Sequence, residues 1–166
     1  DAYGAAKLAA CVLSRQRAAD LGIEWIWGRV FSLYGRYEQG SRMLPALVKS
    51  LCAGQLFTLS SSAEQNWDYL YAADGADALY ALAKRGCAGE IYNIAHGDYR
   101  PEARAVLAPN VVISYGTADA GAFSLQPSTE KIRRDTGWRA VTAFVDGLCR
   151  GYGLAHVAWQ RGMEQS

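Results

Sequence analysis

A change of pattern at Gly22 restricts the fold more than any other feature of this sequence. Residues 3–21 are rich in alanine and contain neither proline nor any glycine after Gly4. They run into Gly22, a residue suited to the left-handed turn that closes a helix. Residues 23–31 then crowd Ile, Trp, Val and Phe onto both faces of an extended segment, as a buried strand would. A helix that feeds a buried strand points to layered α/β architecture. The alternation continues with a helix over 44–53 ending at Gly54, a short strand at 56–59, a polar loop over 60–66 and an extended piece at 67–71. Asp74 is placed to cap a helix in which Ala76, Leu79, Tyr80 and Ala83 recur at helical spacing. Strands at 90–95 and 111–115 bracket a short helix around 102–107. Ser128 is placed to cap a charged helix that reaches Thr136 before Gly137, and an amphipathic helix runs from Thr142 beyond Tyr152.

With 166 residues, 51% of them hydrophobic, the chain can bury a core and reads as one domain over 1–166. Seventeen basic residues against sixteen acidic ones give a net charge of +1, with no run of like charges, which argues against nucleic acid or a membrane surface as the main partner. Apolar runs such as residues 8–13 are far shorter than the roughly 20 residues that a spanning helix needs. No basic-then-apolar leader opens the sequence, so a cytoplasmic location is expected. Cys11, Cys52, Cys87 and Cys149 lie far apart, and His96 and His156 are the two histidines, so no metal site is expected. Three of those cysteines fall in apolar helical patterns and read as small reduced hydrophobes.

Tyr3 and Lys7 are four residues apart in the first helix, so their side chains share a face. A cation beside a phenol favours phenolate, and phenolate is a general base. A surface tyrosine and lysine on an alanine-rich helix would have the same spacing.

The later landmarks supply context. Arg29-Val30-Phe31-Ser32-Leu33-Tyr34-Gly35 resembles an Arg-x-Phe-Asn-x-Tyr-Gly strand end, and Ser41-Arg42-Met43-Leu44-Pro45 resembles an Arg-Leu-Ile-Pro turn. Gln65-Asn66-Trp67-Asp68-Tyr69-Leu70-Tyr71 resembles Gln-x-Arg-Asp-Tyr-Ile-Tyr, with Asp74 and Ala78 following. Gly89-Glu90-Ile91-Tyr92-Asn93-Ile94 resembles Gly-x-x-Tyr-Asn-Ile, and the stretch from Ser128 to Gly137-Trp138 resembles a late Ser-x-Lys helix ending in Gly-Trp. In this order, and with Tyr3-x-x-x-Lys7 at their head, these pieces are similar to the C-terminal half of the extended short-chain dehydrogenase/reductase family, the NAD-dependent nucleotide-sugar epimerases and dehydratases.

The resemblance implies a fold and a set of roles. The fold is the last part of a Rossmann-type doubly wound sheet, roughly residues 1–35, joined to a small α/β substrate-binding lobe over 36–166. Tyr3 is the implied acid/base. Lys7 is the implied holder of the nicotinamide ribose of NAD or NADP, and Val30 and Phe31 lie beside that cofactor. Ser32, Arg42, Met43 and Tyr69 are the implied substrate contacts, for a nucleotide sugar whose phosphates need fixed donors and positive charge. A homodimer through the Tyr3 helix is also implied, and the apolar face of Leu8, Cys11 and Val12 is compatible with it.

Several positions depart from the family pattern. Trp67 stands where the family has arginine, either as a packing residue or as a stacking platform, and Ser32 stands for asparagine. Residues 117–121 lack the second expected arginine, leaving Arg42 or Arg36 to compensate. Asp68 and Asp74 read as structural caps and turn ligands, Tyr34 and Tyr92 as packing residues, and His96 as a loop residue beside the substrate lobe. The glycine-rich dinucleotide turn and the upstream Ser or Thr of the family do not occur in these residues, so the sequence reads as a piece inactive alone. The alternative is a non-catalytic module of this fold that binds a nucleotide or a partner.

Overall fold

The structure is a computed structural model and describes residues 1–53, 55, 57–59, 66–98, 100–101, 113–115 and 124–153. The helix expected at the start is α1, Ala2–Leu21. Asp1 caps it by accepting a hydrogen bond from the Gly4 amide at 2.6 Å, and Gly22 closes it at φ 65°. None of its residues is buried. The Trp25 indole N–H donates to Ser14 Oγ at 3.0 Å, and the Arg15 guanidinium lies over the Trp25 ring, tying the helix to the chain that follows it.

Among the described residues, eight short strands pair two by two. β1 (Trp27–Val30) lies parallel to β6 (Ile91–Ile94), and β2 (Ser32–Tyr34) lies parallel to β5 (Tyr69–Tyr71). β3 (Phe57–Leu59) lies parallel to β8 (Ile113–Tyr115), and β4 (Asn66–Trp67) lies antiparallel to β7 (Arg100–Pro101). Parallel partners far apart in sequence need helical crossovers, and those crossovers make this an α/β fold.

The segment expected as one buried strand over 23–31 forms a strand only at Trp27–Val30, and Ile23 and Val30 are exposed. Among the described residues β1 pairs only with β6, and its second half, Arg29 and Val30, is exposed rather than covered. The extended piece at 67–71 is likewise two strands, because Asp68 leaves the ladder to bind elsewhere.

Among the described residues, two apolar clusters pack on the β1–β6 and β2–β5 pairs. In the first, α3 (Ala72–Arg85) and α4 (Glu130–Thr136) pack Ala78, Leu82 and Ile132 against Leu70, Tyr92 and Ile94. The buried face of α3 consists of Asp74, Gly75, Ala78, Ala81 and Leu82, whereas Ala76, Leu79, Tyr80 and Ala83 face outward, opposite to expectation. Small residues win the inner face because the helix lies close to the strands: a Cβ at Gly75 would stand 2.9 Å from Leu33. Asp74 does not cap α3. It lies in the first turn, and its carboxylate accepts from the Val141 amide (3.0 Å), the Thr142 amide (2.8 Å) and the Thr142 hydroxyl (2.9 Å).

Tyr92 packs as expected. Its hydroxyl accepts from the Cys87 amide and donates to Asp135, both at 2.9 Å, and burial together with the Asp135 carboxylate leaves it pushed up to about 12. Thr129 rather than Ser128 precedes α4, although Ser128 Oγ still accepts from the Glu130 amide at 3.4 Å. None of the four cysteines is buried, although three fall in the apolar helical patterns where a small hydrophobe was expected, and all are unpaired. The expected helix at 102–107 and residues 111–112 lie outside the described residues.

The second cluster joins Tyr34 of β2 to α2 (Met43–Cys52) and α5 (Phe144–Tyr152). Leu44, Leu47 and Val48 form the inner stripe of α2, and Phe144, Gly147, Leu148 and Gly151 that of α5. α5 begins two residues later than expected, since Thr142 is engaged by Asp74. It ends at Tyr152, where Gly153 turns left-handed at φ 70°. The Tyr34 hydroxyl donates to the Phe144 carbonyl at 3.1 Å. A Cβ at Gly147 would stand 2.0 Å from that hydroxyl oxygen. Gly147→Ala must therefore displace a fully buried ring. We expect a loss of about 2–4 kcal/mol in urea unfolding, and a loss below about 1 kcal/mol would show that the ring can move aside.

Candidate functional site

A cleft opens where β2, the start of α2 and the β4–β5 corner meet. Arg42 stands just before α2, its carbonyl accepting the helix's first hydrogen bond from the Ala46 amide at 3.0 Å. Met43 and Leu44 follow on the helix, Ser32 and Leu33 lie on β2, and Trp67 and Tyr69 lie on either side of Asp68. These residues, with Glu38, enclose roughly 160 Å³. The four residues expected as substrate contacts, Ser32, Arg42, Met43 and Tyr69, all line this one cleft.

Asp68 fixes the corner. It is fully buried, and its two carboxylate oxygens accept from the His96 amide (2.7 Å) and the Gly97 amide (2.6 Å), at the end of β6. Burial pushes this carboxyl above its ordinary value, against the pull of the two amides. Its role is that of a turn ligand, as expected, and it aims its neighbours into the cleft. The Tyr69 ring packs on Phe144 at 5.5 Å and edge-on to Tyr34 at 6.5 Å.

Two features of the cleft were not anticipated. Glu38 accepts from Arg42 Nε at 3.3 Å and, on its other oxygen, from the Tyr152 hydroxyl at 2.5 Å. Its side chain is 13% exposed, against 62% for Arg42. The Glu38-x-x-x-Arg42 spacing was a usable signal, since such a pair lies within reach of an ion pair. The second feature is Trp67, whose indole N–H is buried with no acceptor among the described residues.

The other candidates lie elsewhere. The Lys7 ammonium sits over the Tyr3 ring, 5.3 Å from its centroid, and Tyr3 is 72% exposed. Neither residue lines the cleft. Val30 is exposed at the end of β1, and Phe31 is half-buried, its amide donating to the Ile94 carbonyl at 3.0 Å. Arg36 does not join Arg42. It stacks on Tyr37 and borders a separate hollow of about 670 Å³ with Lys49 and Arg150. Residues 117–121, where a second arginine was sought, lie outside the described residues.

Residues 1–95 match the NAD dependent epimerase/dehydratase family. The chain belongs to this family. A dTDP-glucose 4,6-dehydratase of Escherichia coli is 26% identical over 175 residues, covering 95% of this chain and 48% of that protein. Two solved structures share the fold. One is RMD from Pseudomonas aeruginosa complexed with NADPH (TM-score 0.77, 19% identity, 99% of this chain and 56% of that one). The other is dTDP-glucose 4,6-dehydratase from Bacillus anthracis in complex with NAD (TM-score 0.79, 20% identity, 99% and 53%). The fold is thus α/β of Rossmann type, and the chain spans about half the length of the curated relatives it matches.

An unsatisfied buried donor costs about 1–3 kcal/mol. Trp67→Phe removes that donor and keeps an aromatic ring, so its urea midpoint should equal or exceed that of the wild type. A loss of more than about 2 kcal/mol would show that the indole N–H has an acceptor after all.

Proposed function

We propose that this chain is the substrate-side half of an NAD(P)-dependent epimerase or dehydratase acting on a nucleotide sugar. The observation that carries the reading is the convergence of Ser32, Arg42, Met43 and Tyr69 on one cleft. Arg42 offers the charge for a diphosphate, because Glu38 engages only Nε and the side chain is largely exposed, leaving the other guanidinium N–H groups to a ligand. Ser32 and Tyr69 supply hydroxyls for a sugar, and Leu33, Met43 and Leu44 supply an apolar wall.

Tyr3 and Lys7 fit a nicotinamide nucleotide by the chemistry of their donors. An exposed ammonium and an exposed phenol on one helical face can hold a ribose diol, and Val30 offers an apolar edge for a flat ring. When bound, the cofactor supplies the hydride acceptor. Tyr3 then takes or returns a proton at its phenolic oxygen, and Lys7 holds the ribose. In this reading residues 1–35 serve mainly the cofactor and 36–166 mainly the sugar nucleotide. Unpaired cysteines suit a reducing compartment such as the cytoplasm.

In the full-length protein assayed with dTDP-glucose and NAD, Tyr3→Phe should lower turnover by at least about 100-fold while NAD affinity holds within about twofold. Unchanged turnover would remove Tyr3 from the chemistry.

We also propose a homodimer through α1, supported by exposed Leu8 and Val12 on a helix with no buried residue. Leu8→Asp combined with Val12→Asp should shift the protein from dimer to monomer in analytical ultracentrifugation. A wild-type protein that is monomeric throughout would end this proposal.

The non-catalytic reading is favoured by one observation, that neither Tyr3 nor Lys7 lines the cleft. Binding of dTDP without any binding of NAD by the full-length protein would support it.

A further inference from the structure

Arg42 carries most of the charge recognition in the reading above, yet it is a long, exposed side chain in a loop. Fixing such a side chain on binding costs rotamer freedom, and a preset geometry removes part of that cost. The structure contains a device that presets it. Glu38 is nearly buried, and its Oε1 accepts from Arg42 Nε. Engaging Nε leaves the two terminal nitrogens of the guanidinium available as a pair, the geometry that a phosphate receives best. Glu38 is fixed in turn by the Tyr152 hydroxyl, which donates to Oε2 from 114 residues away. Burial and the adjacent Glu38 carboxylate push the Tyr152 hydroxyl well up, so it remains a proton donor throughout the working range.

Tyr152 is the last residue of α5, whose other end is anchored by Phe144 and Gly147 against Tyr34. No residue of α5 lines the cleft.

We propose that Tyr152 and Glu38 are positioning residues that hold the Arg42 guanidinium ready for a phosphate of the ligand, so that α5 sets affinity in a cleft it does not itself line. The proposal rests on the assignment of Arg42 to the diphosphate. In this arrangement Glu38 acts through its hydrogen bonds more than through its charge, because a carboxylate free to compete would weaken anion binding. Removing either link leaves the arginine to search many rotamers.

The test is calorimetric titration of the full-length protein with dTDP, using the wild type, Arg42→Ala, Tyr152→Phe and their double variant. Arg42→Ala should weaken binding by at least about tenfold, and Tyr152→Phe by about fivefold. In the Arg42→Ala background Tyr152→Phe should add nothing, since the group it positions is gone. Glu38→Ala should reproduce the loss seen with Tyr152→Phe. Glu38→Gln, which keeps an acceptor for Arg42 and a partner for Tyr152, should stay within about twofold of wild type. These two variants also serve if Tyr152→Phe fails to fold.

Equal losses from Tyr152→Phe in both backgrounds, no loss at all, or tighter binding by Glu38→Ala would overturn the relay while leaving Arg42 as the phosphate ligand. No dTDP binding by the wild type, or binding unchanged in Arg42→Ala, would overturn the assignment of Arg42 and the relay with it.

Discussion

The Tyr34 ring occupies the space that a side chain at position 147 would need, and the second cluster is organised around that exchange. Glycine at 147 lets α5 approach β2 closely enough for the Tyr34 hydroxyl to reach the Phe144 carbonyl. The buried ring then packs on Tyr69, Tyr71 and Phe144. Tyr69 is thereby held at the edge of the cleft, and α5 ends with Tyr152 on Glu38. A hydroxyl with a fixed acceptor and an aromatic ring with no spare volume fix the geometry better than apolar contact alone.

Much of this order was legible in the residues. The alanine-rich helix, its glycine stop and the positions of α2, α4 and α5 follow from propensity and punctuation, to within two residues at the ends that were misplaced. The four cleft residues were named from a resemblance, and the chain folds them together although they come from three separate segments. What failed was the direction of faces. On α3 Leu79 and Tyr80, expected inside, face outward, because close packing favours Gly75 and Ala78, which carry almost no hydrophobic signal, beside Leu82. Asp74 was read locally as a cap, whereas its partners Val141 and Thr142 lie 67 and 68 residues away. The Tyr152 bond to Glu38 and the burial of the Trp67 indole depend on neighbours that no short window contains.

Cofactor and substrate candidates occupy different surroundings. Tyr3, Lys7 and Val30 stand on open surface, while Arg42 and Tyr69 sit in a walled cleft tied to both apolar clusters through Leu70 and Tyr34. Asp68 is the point at which the two clusters are pinned to the cleft, since it carries the β4–β5 corner and grips the end of β6 at the same time. A buried carboxylate with two backbone donors tolerates little displacement, and the aim of Trp67 and Tyr69 inherits that stiffness.

The bond between Tyr34 and Phe144 spans 110 residues, and that between Glu38 and Tyr152 spans 114. During synthesis the residues that line the cleft, all between 32 and 69, therefore leave the ribosome long before the helix that braces them. Until α5 emerges, Tyr34 and its aromatic neighbours have no lid and α2 shows its apolar stripe to water. The second cluster can therefore close only after α5 has been made, whereas the first, which holds no residue of α5, does not wait for it.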